Sequence, residues 1–308
     1  MAYTIGLDIG GTTIKAGLFR EDSELAETIR VRTYGRINSR DEILSGIAGA
    51  ITQIQQLGLS KGYGELTGIG IGVPGFVNRL TGEILASANL ALKGVNLQTW
   101  VQDRVGVLCV IQGDAKLGAL AESVQGAGRD VSGLLYVSLG TGVGGGVVVG
   151  GRVYEGDHLL AGEIGHAVVD PDGALCGCGK RGCLETVASG PAIANAYRKQ
   201  VEVSKGVSAA DVSSWATVGD RVARAVYQEA AHTLAFVLVN YVTVLDPSLI
   251  VVGGGVSLAG PVLFTPLMEG FARYSSPRRA AMVHIVPAKL GDTAGMVGAH
   301  ILVREALE

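Results

Sequence analysis

Apolar and polar positions divide the chain into short strands alternating with longer helices. Residues 3–7 and 14–19 are β-rich runs joined by Asp8-Ile9-Gly10-Gly11-Thr12-Thr13. Over residues 41–57, Ile43, Leu44, Ile47, Ile51, Ile54 and Leu57 share one helical face. Ser39 and Glu42 have capping-box spacing at its start. Residues 67–73 read as a buried strand ending in Pro74-Gly75, 105–111 as another, and 115–124 as a short helix. A strand over 134–139, a glycine loop over 140–146 and a return strand over 147–149 follow. Ser189-Gly190-Pro191 opens a helix with a cap residue and an early proline. A long helix is predicted over 218–244, stopping before Asp246-Pro247. A strand over 249–252 leads into Gly253-Gly254-Gly255, then come a helix, a strand over 283–286 and a closing helix over 293–304. The alternation predicts an α/β fold.

One plan occurs twice. Residues 5–12 and 136–142 both read as a strand, a turn of glycine and threonine, and the start of a second strand. Their separation of about 130 residues is the size of a domain, not of a solenoid repeat. Two similar halves are expected, each presenting a glycine turn, with a cleft able to grip a polyphosphate from both sides. Composition sharpens this picture. Glycine supplies 47 of 308 residues, roughly twice ordinary usage, yet 48% of the chain is hydrophobic, which excludes disorder. Charged residues are 17% against about 25% in an average protein, so part of the surface is expected to lie under another subunit. A net charge of −3 gives no electrostatic footprint for nucleic acid. The longest uncharged apolar stretch, 230–245, contains His232 and Asn240 and is shorter than the ~18–20 residues of a membrane span. The N-terminal run reads as a strand of the fold, not as a signal peptide. A cytoplasmic protein without membrane or nucleic-acid partners is expected.

Glycine turns between strands expose backbone N–H groups, and threonine adds a hydroxyl; such concavities bind phosphate oxygens. Asp8 beside the first turn would repel phosphate, so its useful role is to hold Mg²⁺ through water; a plain tight hairpin is the alternative. Gly140-Thr141-Gly142-Val143-Gly144-Gly145 matches G-x-G-x-x-G, but Val147-Val148-Val149 follows, where a dinucleotide site needs a helix. The Rossmann reading is therefore rejected, and the sequence contains no P-loop. Gly253-Gly254-Gly255 suits close backbone approach to a flat group such as adenine. His166, Cys176, Cys178 and Cys183 offer one nitrogen and three thiolates, a complete tetrahedral set for a structural Zn²⁺. Cys109, within an apolar run, reads as core. Glu163 and Glu185 flank the cysteine loop, placed either to orient a polyol or as solvated charges. Asp114, ending a strand before a helix, suits a general base for a hydroxyl and equally a helix cap.

Together these motifs resemble the ROK family of sugar kinases and repressors, within the actin/hexokinase-like superfamily. The matching residues are Asp8-Ile9-Gly10-Gly11-Thr12, Gly72-Val73-Pro74-Gly75, Gly140-Thr141-Gly142-Val143-Gly144 and Gly162-Glu163-Ile164-Gly165-His166. Cys176-Gly177-Cys178-Gly179 through Gly182-Cys183-Leu184-Glu185, and Asp246-Pro247 with Val252-Gly253-Gly254-Gly255-Val256, complete the order. The resemblance implies a two-lobed, actin-like ATPase (ribonuclease H-like) α/β fold with an inter-lobe cleft. Residues 1–115 with 293–308 would form the smaller lobe, and 116–292 the larger, carrying the zinc loop 163–185. It implies ATP-dependent phosphorylation of a hexose or N-acetylhexosamine, at O6, by a homodimer or homotetramer. Asp114 would be the base; Gly75, Asn89, Asp114, Glu163, His166 and Glu185 would bind the sugar. Gly10, Gly11, Thr12, Thr13, Gly140, Thr141 and Gly142 would hold phosphates, Asp8 the Mg²⁺, and Gly254 would lie near the nucleoside. His166 would place one ring nitrogen on zinc and the other on a sugar hydroxyl.

One departure stands out. The family's Asn-Asp-Ala-Asn run reads Gly113-Asp114-Ala115-Lys116 here. Gly113 removes an amide that reaches sugar hydroxyls, and Lys116 places a cation two residues from the base, so an altered sugar preference is expected. Two other functions are weighed: a sugar sensor without catalysis, motivated by that departure, and a transcriptional regulator. The second is disfavoured by the net charge and by the absence of a helix-turn-helix before Asp8.

Overall fold

The computed structural model describes residues 2–32, 39–87, 90–202 and 206–308. These form two compact units, the first comprising Met1–Val124, Glu155–Ala161 and Asp292–Glu308, the second Gln125–Tyr154 and Gly162–Gly291.

In the first unit, β1 (Ala2–Ile9) pairs antiparallel with β2 (Thr13–Arg20), and β2 pairs antiparallel with β3 (Leu25–Arg32). Helix α1 (Arg40–Lys61) then leads to β4 (Glu65–Val73), parallel to β1. A hairpin of β5 (Phe76–Asn78) and β6 (Glu83–Ala86) and helix α2 (Leu97–Val105) precede β7 (Leu108–Gly113), which closes the order β3-β2-β1-β4-β7. Helix α3 (Asp114–Val124) leaves the end of β7. The capping box expected at α1 is present: the Glu42 amide donates to Ser39 Oγ, and the Ser39 amide to Glu42 Oε2 at 2.8 Å. Ile43, Leu44, Ile47, Ile51 and Ile54 are buried from it against the sheet's apolar core.

The C-terminal helix, Ala294–Leu307, packs on β1, β4 and α3. Backbone approaches backbone there: a Cβ on Gly6 or Gly70 would strike the carbonyls of Met296 and Ala299. Gly298 lies equally tight on the Leu117 carbonyl, which ties α3 to this unit. The boundary expected near residue 115 therefore moves to the end of α3, and Glu155–Ala161 joins the same unit.

His300 is sealed into this packing, stacked on Phe19 at 4.3 Å between ring centroids with Nδ1 2.7 Å from Thr4 Oγ1. Burial, then the nearby Arg304 charge, lowers its pKa to about 4. The unfolded chain takes up this proton near the ordinary 6.5, whereas the folded chain resists it down to about 4. Stability is thus complete above 6.5 and falls as pH drops through that window, by about 2–3 kcal/mol for this group. Denaturant titrations at pH 7 and 4.5 should give that loss, and a His300→Asn variant should show a smaller one. Equal losses would contradict it.

The second unit repeats the plan. β8 (Leu134–Leu139), β9 (Val143–Val149), β10 (Arg152–Val153), β11 (Leu249–Gly253) and β12 (His284–Pro287) take the order β10-β9-β8-β11-β12. Again the first connection is an antiparallel glycine turn, and the later strands join in parallel. Its helices are α4 (Glu185–Ala188), α5 (Gly190–Val201), α6 (Ala209–Thr217), α7 (Arg221–Leu245), α8 (Pro261–Tyr274) and α9 (Pro277–Met282). Leu234 and Leu238 of α7 share one core with Leu267 and Phe271 of α8. The helix expected from residue 218 begins at Arg221 instead. Gly219 has φ 106°, and Asp220 caps the helix by accepting the Ala223 amide at 2.8 Å. Among the described residues no helix is long and apolar enough to cross a membrane.

Candidate active site

The first glycine turn, Gly10-Gly11-Thr12, links β1 to β2, with Thr12 exposed. The Gly10 amide is committed within the turn to the Thr13 carbonyl at 2.9 Å, so what Gly10 offers a ligand is space. Asp8, the last residue but one of β1, is half-buried, its carboxylate 3.5 Å from Nζ of Lys15, the residue opposite it on β2. Lys15 also bonds Asp292, whose other oxygen takes Arg30. Burial raises the Asp8 pKa against the opposing pull of Lys15. Gly295 leaves room for that carboxyl, where a Cβ would collide with it. A hard carboxylate oxygen beside a turn of amides suits Mg²⁺.

Asp114 is exposed, the first residue of α3, with Oδ1 accepting the Ala115 amide at 2.7 Å. The first turn of a helix favours an acidic side chain. Gly113 and Gly75 come together beside it: a Cβ on Gly113 would sit 3.5 Å from the Gly75 carbonyl, ordinary contact. Gly75 itself, at φ 120°, is pressed on Ala86 and Ser87 of the following hairpin. Asn89 lies outside the described residues. Lys116 differs from its expected role. Its side chain is 7% exposed and its Nζ bonds Glu155 Oε2 at 2.9 Å and the Leu159 carbonyl at 2.7 Å. The cation near Asp114 is thus neutralised within the fold.

In the second unit the Gly140-Thr141-Gly142 turn leaves Thr141 exposed and the Gly140 amide on the Gly142 carbonyl at 2.9 Å. Glu185, opening α4, leans on this turn: its Oε2 accepts the Val143 amide at 3.0 Å, and a Cβ on Gly142 would occupy the same place. Gly254, at φ 83°, packs on Leu139 just before the turn. The structure therefore brings Gly140, Gly142, Glu185 and Gly254 together. Glu163 precedes the short turn Ile164–His166, and its carbonyl accepts the His166 amide at 3.1 Å. Burial, then the Glu163 charge, raises the Tyr241 phenol of α7, a neighbour that the sequence reading did not single out.

His166, Cys176, Cys178 and Cys183 place their donor atoms within 4.8 Å of one another. Cys178 Sγ is 3.6 Å from Cys183 Sγ, and Cys176 Sγ is 3.7 Å from His166 Nδ1. Donors at ~2.3 Å around a tetrahedral Zn²⁺ would be about 3.7 Å apart, so the set fits zinc. The cysteines are unpaired by disulfides. Burial raises the thiols of Cys176 and Cys183, and the Lys180 amide lowers that of Cys178. Cys176 Sγ also reaches Glu185 Oε1 at 3.7 Å, linking the His/Cys cluster to the glycine turn. Cys109 is fully buried in the first unit's core, as expected.

Comparison with known proteins agrees with this frame. The ROK family model matches residues 4–306. The glucokinase of Halalkalibacterium halodurans is 37% identical, with 98% of this chain and 95% of that protein aligned. A ROK family glucokinase from Streptomyces griseus, solved with glucose and AMPPNP, superposes with a TM-score of 0.86 at 32% identity, covering 98% and 99% of the two chains. The xylose repressor of Bacillus spizizenii is 28% identical over 98% of this chain and 77% of its own length. With a match across nearly its whole length and the doubled sheet of the actin/hexokinase-like fold, the chain belongs to the ROK family.

Proposed function

We propose that this sugar kinase transfers the γ-phosphoryl group of ATP to O6 of a hexose or N-acetylhexosamine, with Asp114 as the general base. The observation that carries the reading is Asp114 itself, an exposed carboxylate at a strand end beside Gly75 and Gly113. A sugar hydroxyl is a weak nucleophile, and a carboxylate within hydrogen-bond reach takes its proton as the new P–O bond forms. Phosphoryl transfer otherwise needs positioning and charge stabilisation. Gly11, Thr12, Thr13, Thr141 and Gly142 supply phosphate donors, with Gly10 and Gly140 making space. Gly254 lies near the nucleoside, and Asp8 holds Mg²⁺, which neutralises phosphate charge when bound. Glu163, His166 and Glu185, with Asn89 and Gly75, bind sugar hydroxyls, His166 through the nitrogen that zinc does not use. A thiolate zinc site fits the reducing cytoplasm.

Gly113 is the position from which sugar preference should move. Gly113→Asn would restore the family's amide, and the Cβ it adds makes only an ordinary contact. A buried hydrogen bond to a sugar hydroxyl discriminates by about 1–3 kcal/mol. Gly113→Asn should therefore change relative kcat/KM between glucose and its epimers or N-acetyl analogues by roughly ten-fold or more. An unchanged ranking would contradict the placement. The reading as a whole is tested by ADP release across a panel of hexoses and N-acetylhexosamines. Sugar-dependent turnover supports it; sugar binding without turnover on any of them would favour a sensor.

A further inference from the structure

Glu155 lies outside the motifs matched above, yet it reaches both flanks of Asp114. Its Oε1 accepts from Gln112 Nε2 at 2.7 Å, and its Oε2 from Lys116 Nζ at 2.9 Å. Gln112 is two residues before Asp114, the last but one of β7, and Lys116 two after it, in the first turn of α3. One carboxylate thus brackets the strand-to-helix corner that presents the base. Gln112 tightens the corner further, its Oε1 accepting the Gly113 amide at 2.8 Å. Gln112 and Lys116 are 3% and 6% exposed and the Glu155 side chain 21%, so these bonds are partly shielded from water and hold geometry better than surface pairs do.

The far side of the bracket is fixed too. Leu159 sits at φ 61°, a left-handed conformation that is unfavourable for a residue with a side chain. Its carbonyl is held by the same Lys116 ammonium at 2.7 Å, and its amide donates to Gly156 at 3.2 Å. Arg79 Nε, 3.6 Å from Glu155 Oε1, adds a second cation. A strained turn persists only where its surroundings determine it, and here the determinant is the group that binds Glu155.

We propose that Glu155 is a positioning residue for Asp114, acting through Gln112 and Lys116. This rests on Asp114 being the base. The chemical reason is that a general base must meet its proton at about 2.6–3.2 Å, and a displacement of about 1 Å can cost on the order of 10²-fold. The departure at Lys116 then has a use: the ammonium that replaces an amide in the family run is the cation that Glu155 grips.

A kinetic double-mutant cycle tests this on the intact enzyme, well below its melting temperature. Glu155→Gln keeps the shape but sets an amide donor against a donor. It should lower kcat about 10- to 100-fold while sugar KM and the shape of the pH profile hold. Introduced into Asp114→Asn, the same change should cost nothing further, because the group being positioned is gone. Gln112→Met, which leaves the Lys116–Glu155 pair whole, should fold normally and lower kcat in the wild type but not in Asp114→Asn. Wild-type kcat in both single variants, or losses that multiply through the Asp114→Asn background, would overturn the proposal. Full turnover in Asp114→Asn would instead remove the base assignment on which it stands, so the two failures are told apart.

Discussion

Asp114→Asn should retain the fold and sugar affinity and lose at least ~10²-fold in turnover, the usual scale for removing a general base. The substitution is conservative at this site for a structural reason. Asp114 Oδ1 accepts the Ala115 amide at 2.7 Å, and an asparagine oxygen does the same, so the start of α3 is kept. What disappears is proton acceptance. Steady-state kinetics should place the loss in kcat, with sugar KM within about three-fold, the pattern of an interaction made in the transition state. Near-normal turnover would contradict the assignment.

Removing the zinc proposed at His166, Cys176, Cys178 and Cys183 should have the second large effect. Metal analysis of purified protein is expected to give about one zinc per chain, and Cys178→Ala to give none. Cys178 is the informative ligand because it is exposed, whereas Cys176 and Cys183 are buried. Its loss removes no core packing, so any drop in melting temperature reports on the metal. Activity should fall as well, because Cys176 touches Glu185 Oε1 while Glu185 Oε2 holds the Val143 amide beside the glycine turn. Disturbing groups linked to a metal in this way costs about 10- to 100-fold. The apolar cores contain none of the tight loop Gly177-Cys178-Gly179, so the chain should stay folded. A zinc-free, fully active enzyme would overturn both halves.

Much of this was legible in the sequence because chemistry at turns demands particular residues. A tetrahedral metal site shows as His166 and three cysteines within eighteen residues, and an exposed strand turn shows as Gly-Gly-Thr or Gly-Thr-Gly. Helix α1 was legible because its apolar face has helical spacing and Ser39 marks its start. Strand β3 was not read: it is an edge strand, only half-buried, and Glu27, Arg30 and Arg32 interrupt any apolar run. Helix α6 was not read, and α7 was started at 218 instead of 221, because an apolar residue at 218 gives no sign of the turn at Gly219 and the cap at Asp220. Lys116 was misplaced for a different reason. Adjacency along the chain put its charge beside Asp114, whereas its partner is Glu155, 39 residues away, and no local period points to so distant a carboxylate.

The most direct test is phosphorus NMR of the product formed from ATP and each sugar that supports ADP release. Transfer to O6 attaches phosphorus to a CH₂ carbon, so the proton-coupled signal of the new monoester should be a triplet, growing at least ~10²-fold more slowly when Asp114→Asn replaces the wild type. A doublet, marking phosphorylation at a ring or anomeric carbon, or ADP with inorganic phosphate and no new monoester, would contradict the account.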